Sequence, residues 1–318
     1  MHIITAIEEA KEPIISLEIT PPDKGKSIAE LYRTLDALMP FSPSFINVTY
    51  HQPQVVYEEK DGIIYRIPKR KKPGTVGICA AITNRYHIEA VPHFICGGFS
   101  KYETEDALID LHYLGITNIF AVRGDPPPGQ KRFIPNQDGH RYASELVRQI
   151  ANMNQGIYLE ELEDAEPTNF CIGVAGYPEK HYEAPNFEKD MLHLKYKVDQ
   201  GAHYIITQMF FDFNVFKNFV EYARKIGITV PIIPGIKPIT RMSQLESIPR
   251  DFHVSIPNHF VEAMESARTP EATRKAGIQK TIELCQQLLD YGVPGIHIYT
   301  MGRGKATCEL LKGLGIQK

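Results

Sequence analysis

Eight short apolar runs recur along the chain, and their spacing constrains the fold more than any other feature. They begin at Ile14, Phe45, Val91, Thr117, Phe170, Tyr204, Val230 and Ile296. Runs such as Ile14-Ile15-Ser16-Leu17 and Tyr204-Ile205-Ile206 are nearly continuous rather than alternating. That is the pattern of strands covered on both faces. Nearly every run is followed by an apolar stripe at helical spacing, for example Ile28, Leu31, Leu35 and Leu38, or Phe216, Phe219, Val220 and Ala223. Eight β-α units without a break in composition predict a (β/α)8 TIM barrel, an α/β fold in one domain over residues 1–318. The alternative is an open doubly wound sheet, which carries a glycine-rich loop after its first strand. Here Thr20-Pro21-Pro22-Asp23 stands in that place, and Gly302-Arg303-Gly304 is late and incomplete. A hydrophobic content of 43% over 318 residues supports a large core and excludes a disordered chain or a small stapled scaffold.

Ser27 and Glu30 form an S-x-x-E pattern that predicts a capping box at the start of the first barrel helix. Residues 51–75 interrupt the rhythm with Pro53, Gly62, Pro68, Pro73 and the run Lys69-Arg70-Lys71-Lys72, and are expected to be a loop excursion. Val76–Ile82 either closes that excursion or begins a helix.

Lys and Arg number 35 against 38 Asp and Glu, a net charge of -3, which excludes a generally basic nucleic-acid binder. The start, Met1-His2-Ile3-Ile4-Thr5, lacks the basic and apolar regions of a secretory signal, and no apolar run approaches the ~18 residues that span a bilayer. Cys79, Cys96, Cys171, Cys285 and Cys308 are far apart and form no C-x-x-C pair, so buried reduced thiols are expected rather than disulfides or a zinc site. The expectation is a cytoplasmic protein with no membrane, nucleic-acid or metal partner.

Barrels of this kind carry their chemistry at the C-terminal ends of the strands. The polar groups there are Glu18, Thr49, His93, Arg123-Gly124-Asp125, Gly176-Tyr177-Pro178, Gln208, Lys237 and Tyr299-Thr300, with Arg303 just beyond. Glu18 lies inside an apolar strand, where desolvation raises a carboxyl pKa and suits it to be a general acid. A structural ion pair with a barrel cation is its alternative. Arg123 and Asp125 flank a glycine that lets the backbone approach a ligand; a structural turn with a local ion pair is the alternative. His93 reads first as a satisfied core histidine. From the residues alone, the reading ends at a barrel enzyme that performs acid–base chemistry on a small polar molecule.

The strand-end motifs resemble the methylenetetrahydrofolate reductase family over nearly the whole chain. The pieces are Ser16-Leu17-Glu18, Asn47-Val48-Thr49-Tyr50, Pro92-His93, Ala121-Val122-Arg123-Gly124-Asp125-Pro126-Pro127, Gly176-Tyr177-Pro178-Glu179, Ile206-Thr207-Gln208-Met209-Phe210-Phe211-Asp212 and Tyr299-Thr300-Met301-Gly302-Arg303. The resemblance implies a barrel holding non-covalent FAD. It implies ping-pong reduction of 5,10-methylenetetrahydrofolate to 5-methyltetrahydrofolate by NADH or NADPH, and homo-oligomers. It implies that Glu18 is the general acid and that Asp125 lies between flavin and folate. Thr49, His93, Arg123, Gly124, Asp125, Tyr142, Ala143, Tyr177, His181, Asp190 and Lys197 fall where the family contacts FAD. Gln208, Gln244, Tyr299 and Arg303 become folate-site candidates. Longer members append a domain that binds S-adenosylmethionine, and the length here is expected to leave no room for one. Gly302 replaces a common asparagine, and Leu17-Glu18-Ile19 replaces Phe-Glu-Phe. A flavin-free folate methyltransferase barrel and a non-catalytic scaffold barrel are the rival readings.

Overall fold

Eight parallel strands close on themselves in the computed structural model, which describes residues 1–126, 130, 132–302 and 304–316. The strands of the described residues are β1 (Ile14–Ile19), β2 (Phe45–Val48), β3 (Gln54–Lys60), β4 (Ile63–Lys69), β5 (Glu89–Ile95), β6 (Asn118–Val122), β7 (Cys171–Gly176), β8 (Tyr204–Met209), β9 (Ile232–Ile236) and β10 (Gly295–Tyr299). The barrel runs β1-β10-β9-β8-β7-β6-β5-β2, and β3 with β4 forms a separate antiparallel pair. All eight apolar runs are barrel strands, as their pattern predicted.

The helices are α1 (Ile3–Glu9), α2 (Ala29–Leu38), α3 (Thr75–Tyr86), α4 (Lys101–Tyr113), α5 (Ala143–Met153), α6 (Phe187–Asp199), α7 (Phe213–Lys225), α8 (Ser243–Phe252), α9 (Asn258–Glu265), α10 (Pro270–Tyr291) and α11 (Gly304–Gly313). Along each strand, one set of side chains packs on these helices and the alternate set fills the lumen. On β1, Ile15, Leu17 and Ile19 join the large outer core, while Ile14 joins the lumen cluster of Phe45, Val91, Phe120, Tyr204 and Ile233. Small residues make room for large ones across the lumen: a Cβ on Gly173 would fall on the ring of the fully buried Tyr204. The α1 helix plugs the N-terminal end. Ile3 is buried in the lumen cluster, and its N–H donates to Asn118 Oδ1 at 2.9 Å.

Two local details depart from the sequence reading, and one open alternative is decided. Residues 51–75 are not a loop throughout: 54–69 form a hairpin turned by Asp61 and Gly62, both at positive φ (55° and 74°). That dipeptide between two β-branched and aromatic stretches is the usual signal of a two-residue hairpin turn, and the prolines around it obscured it. Val76–Ile82 belongs to a helix, α3. The Ser27–Glu30 capping box does not form: the Ser27 hydroxyl accepts from the Ala29 N–H rather than from Glu30, and Ile28 is the N-cap, with no side-chain cap. A complete capping box instead opens α4, between Ser100 and Glu103.

Candidate active site

Glu18 points into the C-terminal half of the lumen, beside Asn47 of β2 and Tyr299 of β10 in register. Its side chain is 13% exposed, and its Oε2 lies 3.4 Å from Nε2 of His93 on β5. This is not an ion pair. Burial pushes the Glu18 carboxyl up to about 8, against the pull of Lys237, which follows β9. Burial, with the charge of His51, pushes His93 down to about 3. Near neutral pH, therefore, a protonated carboxyl faces an uncharged imidazole. Asn47 Nδ2 reaches the same His93 Nε2 at 3.2 Å. Thr300 holds the strand in place, its N–H and hydroxyl both donating to the Glu18 carbonyl.

Around the rim, Tyr299 donates its hydroxyl to the Thr207 carbonyl at 2.6 Å. The register between β8 and β9 shifts between Ile206 and Met209, the place from which Gln208 projects. The Gln208 Oε1 accepts from the Met209 N–H at 2.8 Å. Gln244 is buried at the start of α8, and its Oε1 accepts from the N–H groups of Thr240 and Arg241 and from the Thr240 hydroxyl. It is thus a staple for the turn after β9. Arg303 lies outside the described residues.

A second feature opens beside the ends of β6 and β7. A cavity of about 480 Å³ is lined by Arg123, Tyr142, Ala143, Tyr177, His181, Asp190 and Lys197, among others. Seven of the eleven residues expected at the cofactor therefore come together although 74 positions separate the first from the last. Lys197 reaches the Ala175 carbonyl, and burial lowers its ammonium to about 8 while Asp190 resists the shift. Arg123 pairs with Glu183 and lies over the Phe133 ring. Asp190 accepts from the His181 N–H at 2.9 Å, and burial raises its carboxyl. Burial and the Arg123 charge lower His181 to about 4. Gly124 adopts φ of 85° at the strand end, and a Cβ there would crowd Ile95.

The remaining expected residues sit apart from this cavity. Thr49 Oγ1 lies 3.2 Å from His51 Nε2. His93 is turned to Asn47 and Glu18. Asp125 is exposed, and its charge acts on His51 and Tyr177, which places it between the cavity and the β2 side of the barrel mouth. The residues that the sequence reading did not single out are Asn47 and Glu183. Asn47 was visible only as part of a motif, and Glu183 had no signal of its own.

The cavity thus sets two cations, Arg123 and Lys197, beside two carboxylates, Glu183 and Asp190. The family model described as methylenetetrahydrofolate reductase matches residues 3–315. The chain belongs to the methylenetetrahydrofolate reductase family. The 5,10-methylenetetrahydrofolate reductase of Escherichia coli is 31% identical over 95% of this chain and 91% of that protein. A probable methylenetetrahydrofolate reductase (NADPH) of Caenorhabditis elegans is 32% identical over 99% of this chain but 44% of that protein. The chain thus spans about half the length of the eukaryotic curated relatives that it matches. A solved structure, an uncharacterized protein from Clostridium thermocellum that binds two copies of 5-methyl-5,6,7,8-tetrahydrofolic acid, aligns with a TM-score of 0.59 over 98% of this chain and 96% of that one. At 15% identity that likeness speaks for the barrel fold. Among the described residues, no helix is long and apolar enough to cross a membrane.

Proposed function

We propose that this protein reduces 5,10-methylenetetrahydrofolate to 5-methyltetrahydrofolate, with NADH or NADPH as donor and non-covalent FAD as carrier, in two successive half-reactions at one site. The product would supply methyl groups for methionine synthesis, in the cytoplasm and from a homo-oligomer. The observation that carries the reading is the buried carboxyl group of Glu18, 13% exposed and 3.4 Å from His93 at the mouth of a barrel of this family, where burial pushes it up to about 8. When bound, FAD would supply a ring that accepts a hydride from the nicotinamide and passes it to the folate.

The rest of the chemistry is assigned to the chain. Arg123 and Lys197 offset diphosphate charge in the cavity beside β6 and β7. Tyr142, Ala143, Tyr177, His181 and Asp190 line the same cavity and give the cofactor its shape, with Thr49, His93 and Gly124 extending the contact toward the lumen. Asp125 serves at the folate side of the mouth, and Gln208, Gln244, Tyr299 and Arg303 hold the folate. Glu18 then gives its proton to a nitrogen of the five-membered folate ring. The carbon–nitrogen bond opens and leaves an electrophilic methylene carbon ready for hydride. An acid must still hold its proton at the pH of reaction to do this, and a group at about 8 does so.

The test is a visible spectrum of the fresh protein, followed under anaerobic conditions by NADH and then by methylenetetrahydrofolate. The expected result is a flavin spectrum that bleaches with the donor and returns with the folate. A colourless protein that gains no chromophore from added FAD would overturn the reading.

A further inference from the structure

We infer that Asn47 is a positioning residue: it fixes the tautomer of His93, and through that ring it keeps the proton of Glu18 on the carboxyl group. The inference rests on the proposed role of Glu18 as the acid, but it concerns a residue to which nothing above gives a role.

The geometry is a contest for one atom. Asn47 Nδ2 lies 3.2 Å from His93 Nε2, and Glu18 Oε2 lies 3.4 Å from the same nitrogen. An uncharged imidazole nitrogen carries either a lone pair or a proton. With the Asn47 amino group as donor, Nε2 is the acceptor and the ring proton sits on Nδ1. That one lone pair is then shared between the Asn47 amino group and Glu18. It repels a carboxylate and accepts a hydrogen bond from a carboxylic acid. The opposite tautomer would put N–H toward Glu18 and stabilise the carboxylate, so the amide of Asn47 selects between an acid and its spent form.

The orientation of the amide is itself decided by its surroundings. Asn47 is fully buried, and its Oδ1 has no hydrogen-bond partner among the described residues. Turned over, the amide would accept from His93 but would leave the amino group in that unpartnered place. An under-satisfied buried oxygen is more often tolerated than an orphaned N–H. Register holds the three groups together: β2 lies between β1 and β5, with Asn47 opposite Glu18 on one side and Val91 on the other.

The other titratable or charged groups around the pair come from every neighbouring element. Lys237 beyond β9 favours the carboxylate, whereas Tyr299 of β10 senses the Glu18 charge as repulsive. His51 beyond β2 and His297 of β10 act on or respond to His93, and both are themselves held toward the neutral form by burial. The directional contacts at Nε2 come from Asn47 and Glu18. Burial favours the neutral carboxyl; the Asn47–His93 contact turns away a neighbouring donor, the His93 N–H, that would favour the carboxylate.

The experiment reads the tautomer and the proton directly, on the protein as isolated. Nitrogen NMR of ¹⁵N-histidine-labelled protein, with His93 assigned by its loss in His93→Gln, is expected to show Nε2 unprotonated at neutral pH. The carboxylic-acid infrared band that disappears in Glu18→Gln then gives the Glu18 midpoint. Asn47→Leu removes the donor at little change in volume. It is expected to move His93 toward the Nε2–H tautomer and to lower the Glu18 midpoint by about one pH unit, the scale of one hydrogen bond. A protonated Nε2 in the wild type would overturn the inference. So would Asn47→Leu with tautomer and midpoint unmoved. If the leucine variant does not fold, the wild-type tautomer alone decides. Neither readout uses folate or flavin, so a failure of the reductase reading would appear separately, in turnover.

Discussion

Replacing Glu18 by Gln tests the energetics of the site in the absence of any substrate. In the folded protein its carboxyl binds a proton up to about pH 8, whereas the unfolded chain releases it near the ordinary 4.5. Between those values the folded state holds more protons than the unfolded state, so stability falls as pH rises. At 1.36 kcal/mol per pH unit the loss is about 5 kcal/mol across the whole window, with about 3 kcal/mol of it incurred by pH 7. Glutamine keeps the shape and removes the titration. The variant is expected to match the wild type at pH 4.5 and to exceed it by about 3 kcal/mol at pH 7, with the difference growing toward pH 8. Urea unfolding of both proteins at pH 5, 6, 7 and 8 measures this. The same variant is expected to lose folate reduction while flavin reduction by the nicotinamide donor persists. Parallel stability profiles for the two proteins would show that Glu18 is not held protonated, and equal loss of both half-reactions would remove the general-acid role.

Three further outcomes are expected. Lys197→Met should weaken FAD binding by roughly 10- to 100-fold, the scale of one charged hydrogen bond, in a titration followed by flavin fluorescence; an unchanged affinity would take the cavity beside β6 and β7 out of the cofactor site. Gly235→Ala should cost about 3 kcal/mol in urea unfolding, because the new Cβ falls on the Thr207 carbonyl oxygen and the Tyr299 ring; a normal unfolding curve would contradict that packing. Gln244→Ala removes the common acceptor of the Thr240 and Arg241 N–H groups, and should lower stability by about 1–3 kcal/mol and raise the KM for folate. A shifted unfolding curve with an unmoved KM would leave it a purely structural staple.

The barrel was legible because its strands are buried on both faces, so their apolar runs are conspicuous in one dimension. The Ile14 and Tyr204 runs needed no tertiary information to be read as strands. The hairpin 54–69 was harder. Its exposed Tyr57, Ile63 and Ile64 lie on a two-stranded sheet that touches little else, so no core pattern marks it, and only Asp61-Gly62 announces its turn. Helix starts misled for a related reason. Ser27 and Ser100 carry the same S-x-x-E spacing, yet only the backbone approach to α4 brings Ser100 into the N-cap position.

The candidate site divides in the same way. A carboxylate inside an apolar strand already implies a displaced pKa, because desolvation acts on a charge whatever its neighbours are. The sequence therefore sufficed for the barrel and for the family, and it pointed to Glu18 as a carboxyl whose burial would displace its pKa. Which groups meet Glu18 was not contained in it. Asn47 and His93 are 46 positions apart, and Lys237 and Tyr299 come from the far end of the chain. Closure of the sheet sets β1 between β2 and β10 and brings them within reach. Hydrogen bonds act only over about 3 Å and in fixed directions, so the choice of donor and acceptor at His93 Nε2 exists only once the strands are in register.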